Sequence, residues 1–256
     1  MQALSLASLS RHPFPVVAHF DRVIAVSFAF PEDVLRPLVP PGLEIDTYHG
    51  FGFLTVAMVW TRKLRPAGFP AFFGQDFFLA GYRVFTRLDD GGRRLRGLRI
   101  LRSETDKRRM KWIGNLLTRY GYRHVRVKIE TAAEDDTRVR TLQADGSCTL
   151  DITCGSPSDS TPLPEQSPFS DWVEARKFAG PMPFTFSPER DGSFVVIEGS
   201  RQNWSPQPVS VKHWQAAIFE EVPLRGTKPI LANAFAVQDV PYRWSKGRIV
   251  RPGGIP

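Results

Sequence analysis

The chain has 256 residues, 42% of them hydrophobic and 23% charged, with a net charge of +8. This composition suits a globular protein with a sizeable core and excludes a disordered chain, a collagen-like fibre and a coiled coil. The longest apolar run, Val23 to Pro31, is far short of the ~20 residues of a membrane span, and two cysteines are too few for a disulfide scaffold or a cysteine zinc site.

The first 14 residues lack a basic start before an apolar core, so no secretory signal is expected and a cytoplasmic protein is the default. Residues 1–14 and 246–256 predict flexible tails around a single domain over 15–245. Asp21 to Phe30 is almost continuously apolar, which predicts a strand covered on both faces. Pro31-Glu32-Asp33 predicts a helix start, cut short by Pro37 and by Pro40-Pro41-Gly42. Residues 43–47 and 51–63 predict strands around the turn Tyr48-His49-Gly50. Residues 81–88 and 94–102 predict a hairpin across Asp89-Asp90-Gly91-Gly92.

Lys107 to Tyr120 predicts the one longer helix, capped by Thr105 or Asp106 and ended by Gly121. Its apolar stripe is Met110, Ile113, Leu117 and Tyr120. Alternation of Val125, Val127 and Ile129 with polar residues predicts a half-buried strand over 122–131. Residues 155–168 hold four prolines and four serines and predict an exposed loop within the domain. Strands resume with a hairpin of 184–186 and 194–198, followed by 209–219 and 231–239. Many strands and few helices imply a mostly β (α+β) protein, curled or barrel-like, with helices outside.

Charge is concentrated. Between Arg93 and Lys128 stand 13 lysines and arginines against Glu104 and Asp106. Such a segment can hold nucleic acid, an acidic membrane surface or an anionic metabolite. It lacks a helix-turn-helix or RNA-recognition motif, so specific nucleic-acid binding is not expected.

The chain has no P-loop, no strand-linked G-x-G-x-x-G, no H-E-x-x-H and no G-x-S-x-G, and its five histidines are dispersed. No cofactor and no metal are expected. Cys148 and Cys154 read as buried small hydrophobes. The stretch Ser103 to Arg109 carries more chemistry. A lysine beside fixed cations has its ammonium form disfavoured, which frees the amine as a nucleophile toward a ketone. Lys107 with Arg108 and Arg109 meets that requirement, and Glu104 or Asp106 is the nearest acid–base candidate. The competing reading is a solvated first helical turn. A curled sheet also encloses a pocket. Phe28, Phe30, Trp60, Phe85, Phe184, Trp204 and Trp214 are candidates for its wall, with Arg22, Arg99 and Asn203 as polar contacts.

Residues 19–46 (HFDRVIAVSFAFPEDVLRPLVPPGLEID) resemble the opening of acetoacetate decarboxylase. Over 15–245 the chain is similar to an uncharacterised bacterial family of that superfamily, the domain of unknown function two thousand and seventy-one. The runs LRILRSETDKRRMKWIGNLLTRYGY, FAGPMPFTF, RQNWSPQP and NAFAVQDVPYRW carry the likeness. It implies a curved antiparallel sheet, or barrel-like cone, around a central cavity. The decarboxylase's paired lysines fall here on Lys107-Arg108, and its first-strand arginine falls on Asp21 with Arg22 beside it. Its pocket glutamates fall within 51–68, which has no acid. The resemblance therefore implies a Schiff-base lyase acting on another keto acid or carbonyl metabolite, with acetoacetate itself disfavoured. Arg108 or Arg109 would lower the lysine pKa or hold the substrate carboxylate, and Arg22, Arg99, Trp60, Asn203 and Trp204 would complete the substrate-binding set. The alternative is a ligand-binding or structural protein without turnover. The expected partner is a small carbonyl or carboxylate ligand, with no membrane; self-association is left open.

Overall fold

The apolar run at Val23 is the middle of a 16-residue strand, β1 (Val16–Pro31). Successive side chains of a strand point to opposite faces, and here both faces are covered. Val23 and Ala25 face one core, while Ile24, Val26 and Phe28 face another. The computed structural model describes residues 9–131, 136–180 and 182–253.

On one side β1 pairs antiparallel with β3 (Phe51–Pro66), and on the other with β14 (Ile230–Trp244). From β3 the sheet runs through β4 (Gln75–Asp90), β5 (Arg93–Thr105), β10 (Phe184–Pro188) and β11 (Phe194–Arg201). β11 pairs back onto β14, so the curved sheet closes in a ring through 7 strands. Four short strands border it: β2 (Leu43–Ile45), β6 (Tyr122–His124), β12 (Gln207–Pro208) and β15 (Arg248–Val250). The pairings of β5 with β10 and β6 are parallel, so the sheet is mixed where an antiparallel one was expected. The expected hairpin turn is present, with Gly91 and Gly92 both at positive φ between β4 and β5, as a two-residue primed turn requires.

A second, four-stranded sheet packs outside the ring. Its order is β13 (Val211–Ala216), β9 (Cys148–Cys154), β8 (Thr137–Leu142), β7 (Arg126–Thr131). Val139, Leu150 and Ile152 of this sheet share a core with Ile24, Val26 and Phe28 of β1. The strand expected over 122–131 is broken at Val125, and its halves, β6 and β7, belong to different sheets. Likewise the strand expected over 209–219 stops at Ala216, and a 3-10 turn then sets Phe219 against Phe28 with ring centroids 4.9 Å apart.

Among the described residues, three α-helices complete the fold: α1 (Glu32–Leu35), α2 (Arg108–Leu117) and α3 (Trp172–Phe178). α2 is shorter than expected and its cap position is Lys107, with no side-chain cap bond. Asp106 cannot cap because its Oδ1 accepts a hydrogen bond from the Phe78 backbone N–H at 2.8 Å. Within the expected tails, whose residues 1–8 and 254–256 lie outside the described residues, several contacts are made. His12 N–H donates to the Leu117 carbonyl and Gly247 N–H to the His12 carbonyl, each at 2.9 Å, and β15 pairs with β11. Residues 155–168 form no helix or strand, and the Trp172 indole N–H anchors them through the Thr161 carbonyl at 2.7 Å.

The two sheets are pinned together by Glu104 of β5, which is buried and turned outward from the ring. Its Oε2 accepts from Thr141 (2.8 Å) and Thr149 (2.9 Å) of the outer sheet and from Tyr82 (3.2 Å) of β4. Arg102 lies 3.4 Å from its Oε1, is stacked over Tyr82 at 4.7 Å, and pairs with Glu221 at 2.7 Å. Removing one partner of a buried ion pair leaves the other uncompensated, at about 3–5 kcal/mol. Glu104→Ala is expected to lower the melting temperature by roughly 6–20 °C, taking ~2–4 °C per kcal/mol for a chain of this size. Replacing Arg102 and Glu104 together by methionine is expected to recover much of that loss; differential scanning calorimetry of both variants checks it.

Candidate functional site

Inside the ring the two ends are stopped by different helices. At the end of the β4–β5 hairpin, Ala175 and Phe178 of α3, with Ala179 and Met182 after it, pack on Phe53, Phe85 and Leu98. At the other end, Met110, Ile113, Gly114 and Leu117 of α2 lie across the opening, helped by His12, Pro13 and Phe14. Between them is a cavity of about 200 Å³. Its wall is largely apolar: Val23, Ala25, Ala57, Val59, Leu79, Ile100, Phe235 and Trp244 all contribute.

Most polar groups in the wall are already partnered. Ser27 and Thr55 hydroxyls bond each other at 2.7 Å, and Tyr120 bonds Thr185 at 2.8 Å. Arg201 stacks over Trp204 at 4.9 Å. Arg83 of β4 is not, and neither are Thr61 Oγ1, the Trp204 indole nitrogen and His12 Nδ1, which are buried in the same wall without a partner. The Arg83 guanidinium lines the cavity, its Nε is buried without a hydrogen-bond partner, and no carboxylate faces it. Burial pushes its pKa below the usual arginine range, while the nearby phenols of Tyr242, Tyr122 and Tyr120 work the other way. The absence of a side chain at Gly81 gives the guanidinium its place, since a Cβ there would lie 3.0 Å from Nε. Burial also raises the pKa of all three phenols, so they stay neutral donors.

Among the described residues, no lysine, aspartate or glutamate lines this cavity, and no group of three or more His, Cys, Asp or Glu is placed to hold a metal. Of the nine residues expected to form the site, the cavity wall contains only Trp204. Lys107 is exposed at the start of α2, with Nζ 3.3 Å from Asp106, and does not line the cavity. The strand ends at Thr105, so Lys107 lies beyond the wall rather than in it. Arg108 is exposed beside it. Glu104 faces the outer sheet. Arg22 also turns outward, donating to Thr137 at 2.9 Å and lying 5.8 Å from the Trp60 ring. Arg99 donates to the Ile100 carbonyl at 2.8 Å and Asn203 is exposed.

The expected aromatic wall fails similarly. Phe85 and Trp204 touch the cavity, whereas Phe28, Phe30, Trp60, Phe184 and Trp214 pack in or against the core between the sheets. The physical reason is parity. A register break in β1 between Phe20 and Arg22 places Ala18, Phe20, Val23 and Ala25 on the inner face together, so Arg22 and Phe28 go outward. The pleat puts Val23, Ala25, Ala57 and Val59 inside and leaves Phe28, Phe30 and Trp60 outside. Arg83 had a signal of its own, as the one charged residue in the inward series Phe77, Leu79, Gly81, Arg83, Phe85. Cys154 is buried, its thiol pushed up to about 12 by burial, but Cys148 is exposed. The basic segment is split as well: Arg102 lies between the sheets, Arg94 and Arg96 pair with Glu44 and Asp46, and the cations of α2 surround the covered opening.

Residues 18–246 match the family model DUF2071, an uncharacterized conserved protein family. The chain belongs to this family. No curated protein matches the sequence. Among solved structures, the acetoacetate decarboxylase of Legionella pneumophila superposes with a TM-score of 0.61 at 12% identity, over 94% of this chain and 89% of that one. An acetoacetate decarboxylase-like enzyme from Sphingomonas wittichii gives 0.62 at 12% identity over 98% of both chains. The enduracididine biosynthesis enzyme MppR, complexed with the condensation product of pyruvate and imidazole 4-carboxaldehyde, gives 0.61 at 13% identity, over 94% of this chain and 91% of that one. At such identities these likenesses establish the fold, which this DUF2071 chain shares over 94% to 98% of its length.

His12, which links α2 to the C-terminal segment, has its pKa lowered, chiefly by burial. The unfolded chain therefore binds this proton first as the pH falls. The stability it confers is complete above about pH 6.5, the unperturbed histidine value, and is lost as the pH drops toward the depressed folded value. Thermal melts at pH 7.5 and 5.5, taken as about one unit either side of that value, are expected to differ more in the wild type than in His12→Asn. Asparagine tolerates the positive φ of 54° found there.

Proposed function

We propose that the protein binds a small carboxylate with an apolar body inside the ring, with Arg83 as its anchor. The observation carrying this reading is a buried guanidinium without a hydrogen-bond partner at Nε, in a largely apolar cavity that no described carboxylate lines. A buried cation without a counter-charge is costly, and a ligand carboxylate would supply the charge and accept hydrogen bonds from it. The volume slightly exceeds the ~150 Å³ cavity known to hold benzene, which suits a ligand of roughly ten non-hydrogen atoms. A relative of the same fold, MppR, is complexed with pyruvate, also a carboxylate. Turnover through a Schiff base needs an amine at the ligand, and the cavity wall offers none. The reading therefore favours binding without covalent capture, over a lyase acting through Lys107.

Isothermal titration with phenylacetate and isovalerate is expected to give binding that phenylacetamide does not. In Arg83→Met the acid should lose about 10- to 100-fold in affinity, the worth of a charge-assisted hydrogen bond at ~1.5–3 kcal/mol. The same variant, relieved of an unpaired charge, should melt higher than the wild type when ligand-free, by roughly 2–6 °C. Equal affinity for acid and amide would refute the anchor. Borohydride treatment with pyruvate is expected to leave every lysine unmodified, and a mass gain on Lys107 would restore the Schiff-base lyase.

A further inference from the structure

The end of the ring covered by α2 carries a surface that the cavity does not explain. Phe69, Phe72 and Phe73, in the connection from β3 to β4, are 55%, 79% and 58% exposed. They pack on one another, with centroids 6.2 Å apart for Phe69–Phe73 and 4.3 Å for Phe72–Phe73. The connection is braced. Arg65 donates from Nε to the Phe69 carbonyl at 2.9 Å and from Nη1 to the Lys63 carbonyl at 2.8 Å. Phe73 N–H reaches the Pro70 carbonyl at 3.2 Å, and Gly74 N–H the Ala71 carbonyl at 3.0 Å. The rings are therefore held in water by a built turn.

The same end presents the outer side of α2. Gln75, just past the phenylalanines, donates to the Met110 sulfur at 3.2 Å and so joins the two elements. With Met110, Ile113 and Leu117 turned to the cavity, Trp112 and Leu116 stand outside, 73% and 48% exposed. Around these apolar groups stand Lys63, Lys107, Arg108, Arg109 and Lys111, the last lying 5.8 Å from the Trp112 ring. The neighbouring acids do not balance them. Asp21 and Asp76 are engaged by Arg62 at 2.5 and 3.1 Å, which leaves Asp106 beside Lys107.

We propose that this end of the ring docks on an anionic lipid bilayer. Exposed aromatic rings settle at the headgroup level, and a collar of lysine and arginine is drawn to acidic lipids. A second copy is the poorer occupant, because a two-fold contact would bring like-charged collars face to face. The missing membrane span is no obstacle. No described helix is long and apolar enough to cross a bilayer, but surface docking requires none. This inference stands independently of the ligand assigned to the cavity.

The test is flotation of the intact protein with vesicles of phosphatidylcholine, with and without phosphatidylglycerol, at low and high salt. Binding is expected only with phosphatidylglycerol, weakening as salt rises. Lys107→Glu with Arg108→Glu should weaken it by at least about fivefold per cation removed. Phe69→Ser with Phe72→Ser should abolish what survives at high salt, with melting temperatures unchanged because these side chains are exposed. Absence of flotation at low salt, equal binding to neutral vesicles, or indifference to both variants would overturn the proposal. So would a dimer in analytical ultracentrifugation that the phenylalanine variant dissociates, or RNA binding that the same variant loses without any loss of flotation.

Discussion

Three residue pairs hold the architecture closed. Gly199, Ser200 and Arg201 of β11 pair with Trp244, Arg243 and Tyr242 of β14, and without them the sheet would be an open, curled surface with its inner face in water. The contact depends on an absence: a Cβ on Gly199 would fall 2.0 Å from the Tyr242 hydroxyl oxygen. Trp244, Tyr242 and Arg201 then all turn into the enclosed space. Closure thus removes two strand edges at once and converts one face of the sheet into an interior.

That interior explains the long apolar strands. β1, β3 and β4 are each 16 residues long and covered on both faces, by the outer sheet on one side and by the cavity groups on the other. The two cores differ in character. The one between the sheets is filled with large rings such as Phe28, Phe30 and Trp214 and stapled by Glu104. The other, lined by aliphatic residues and by rings such as Phe20, Phe77 and Trp244, is left hollow. Arg83, whose Nε has no partner in the hollow core, carries a local cost of the kind that functional sites commonly tolerate. Relatives of the same fold can carry different chemistry, because the polar contents of the ring are set residue by residue.

Local features were legible in the sequence. The doubly covered strand at Val23, the turn at Gly91-Gly92 and the apolar stripe of α2 each follow from neighbouring residues, and each is present. Non-local features were not. The outer sheet gathers β7, β8, β9 and β13 from distant parts of the chain, and nothing in the residues 122–131 marks Val125 as the place where one strand becomes two. Most of the residues expected at the site lie outside the cavity for a related reason. The break beside Asp21 exchanges inside for outside along the rest of β1, so Arg22 and the phenylalanines landed on the wrong face. The cationic neighbours of Lys107 are equally the mark of a solvated helix start, which is what the structure has there. Arg83 is legible in the alternation of β4 as the one charged side chain of its inward series.

His12 sits where three parts of the chain meet. Its backbone takes the carbonyl of Leu117 at the end of α2 and offers its own carbonyl to Gly247 beyond β14. The amino-terminal segment, the helix across the cavity and the carboxyl-terminal segment therefore share one hydrogen-bonded knot. Such a knot exchanges its amide protons as a unit, since loosening any member frees the others. Passage into the ring is in this way coupled to segments far apart in the chain, and pulling on either the stretch around His12 or the stretch around Gly247 would loosen the cover of the cavity.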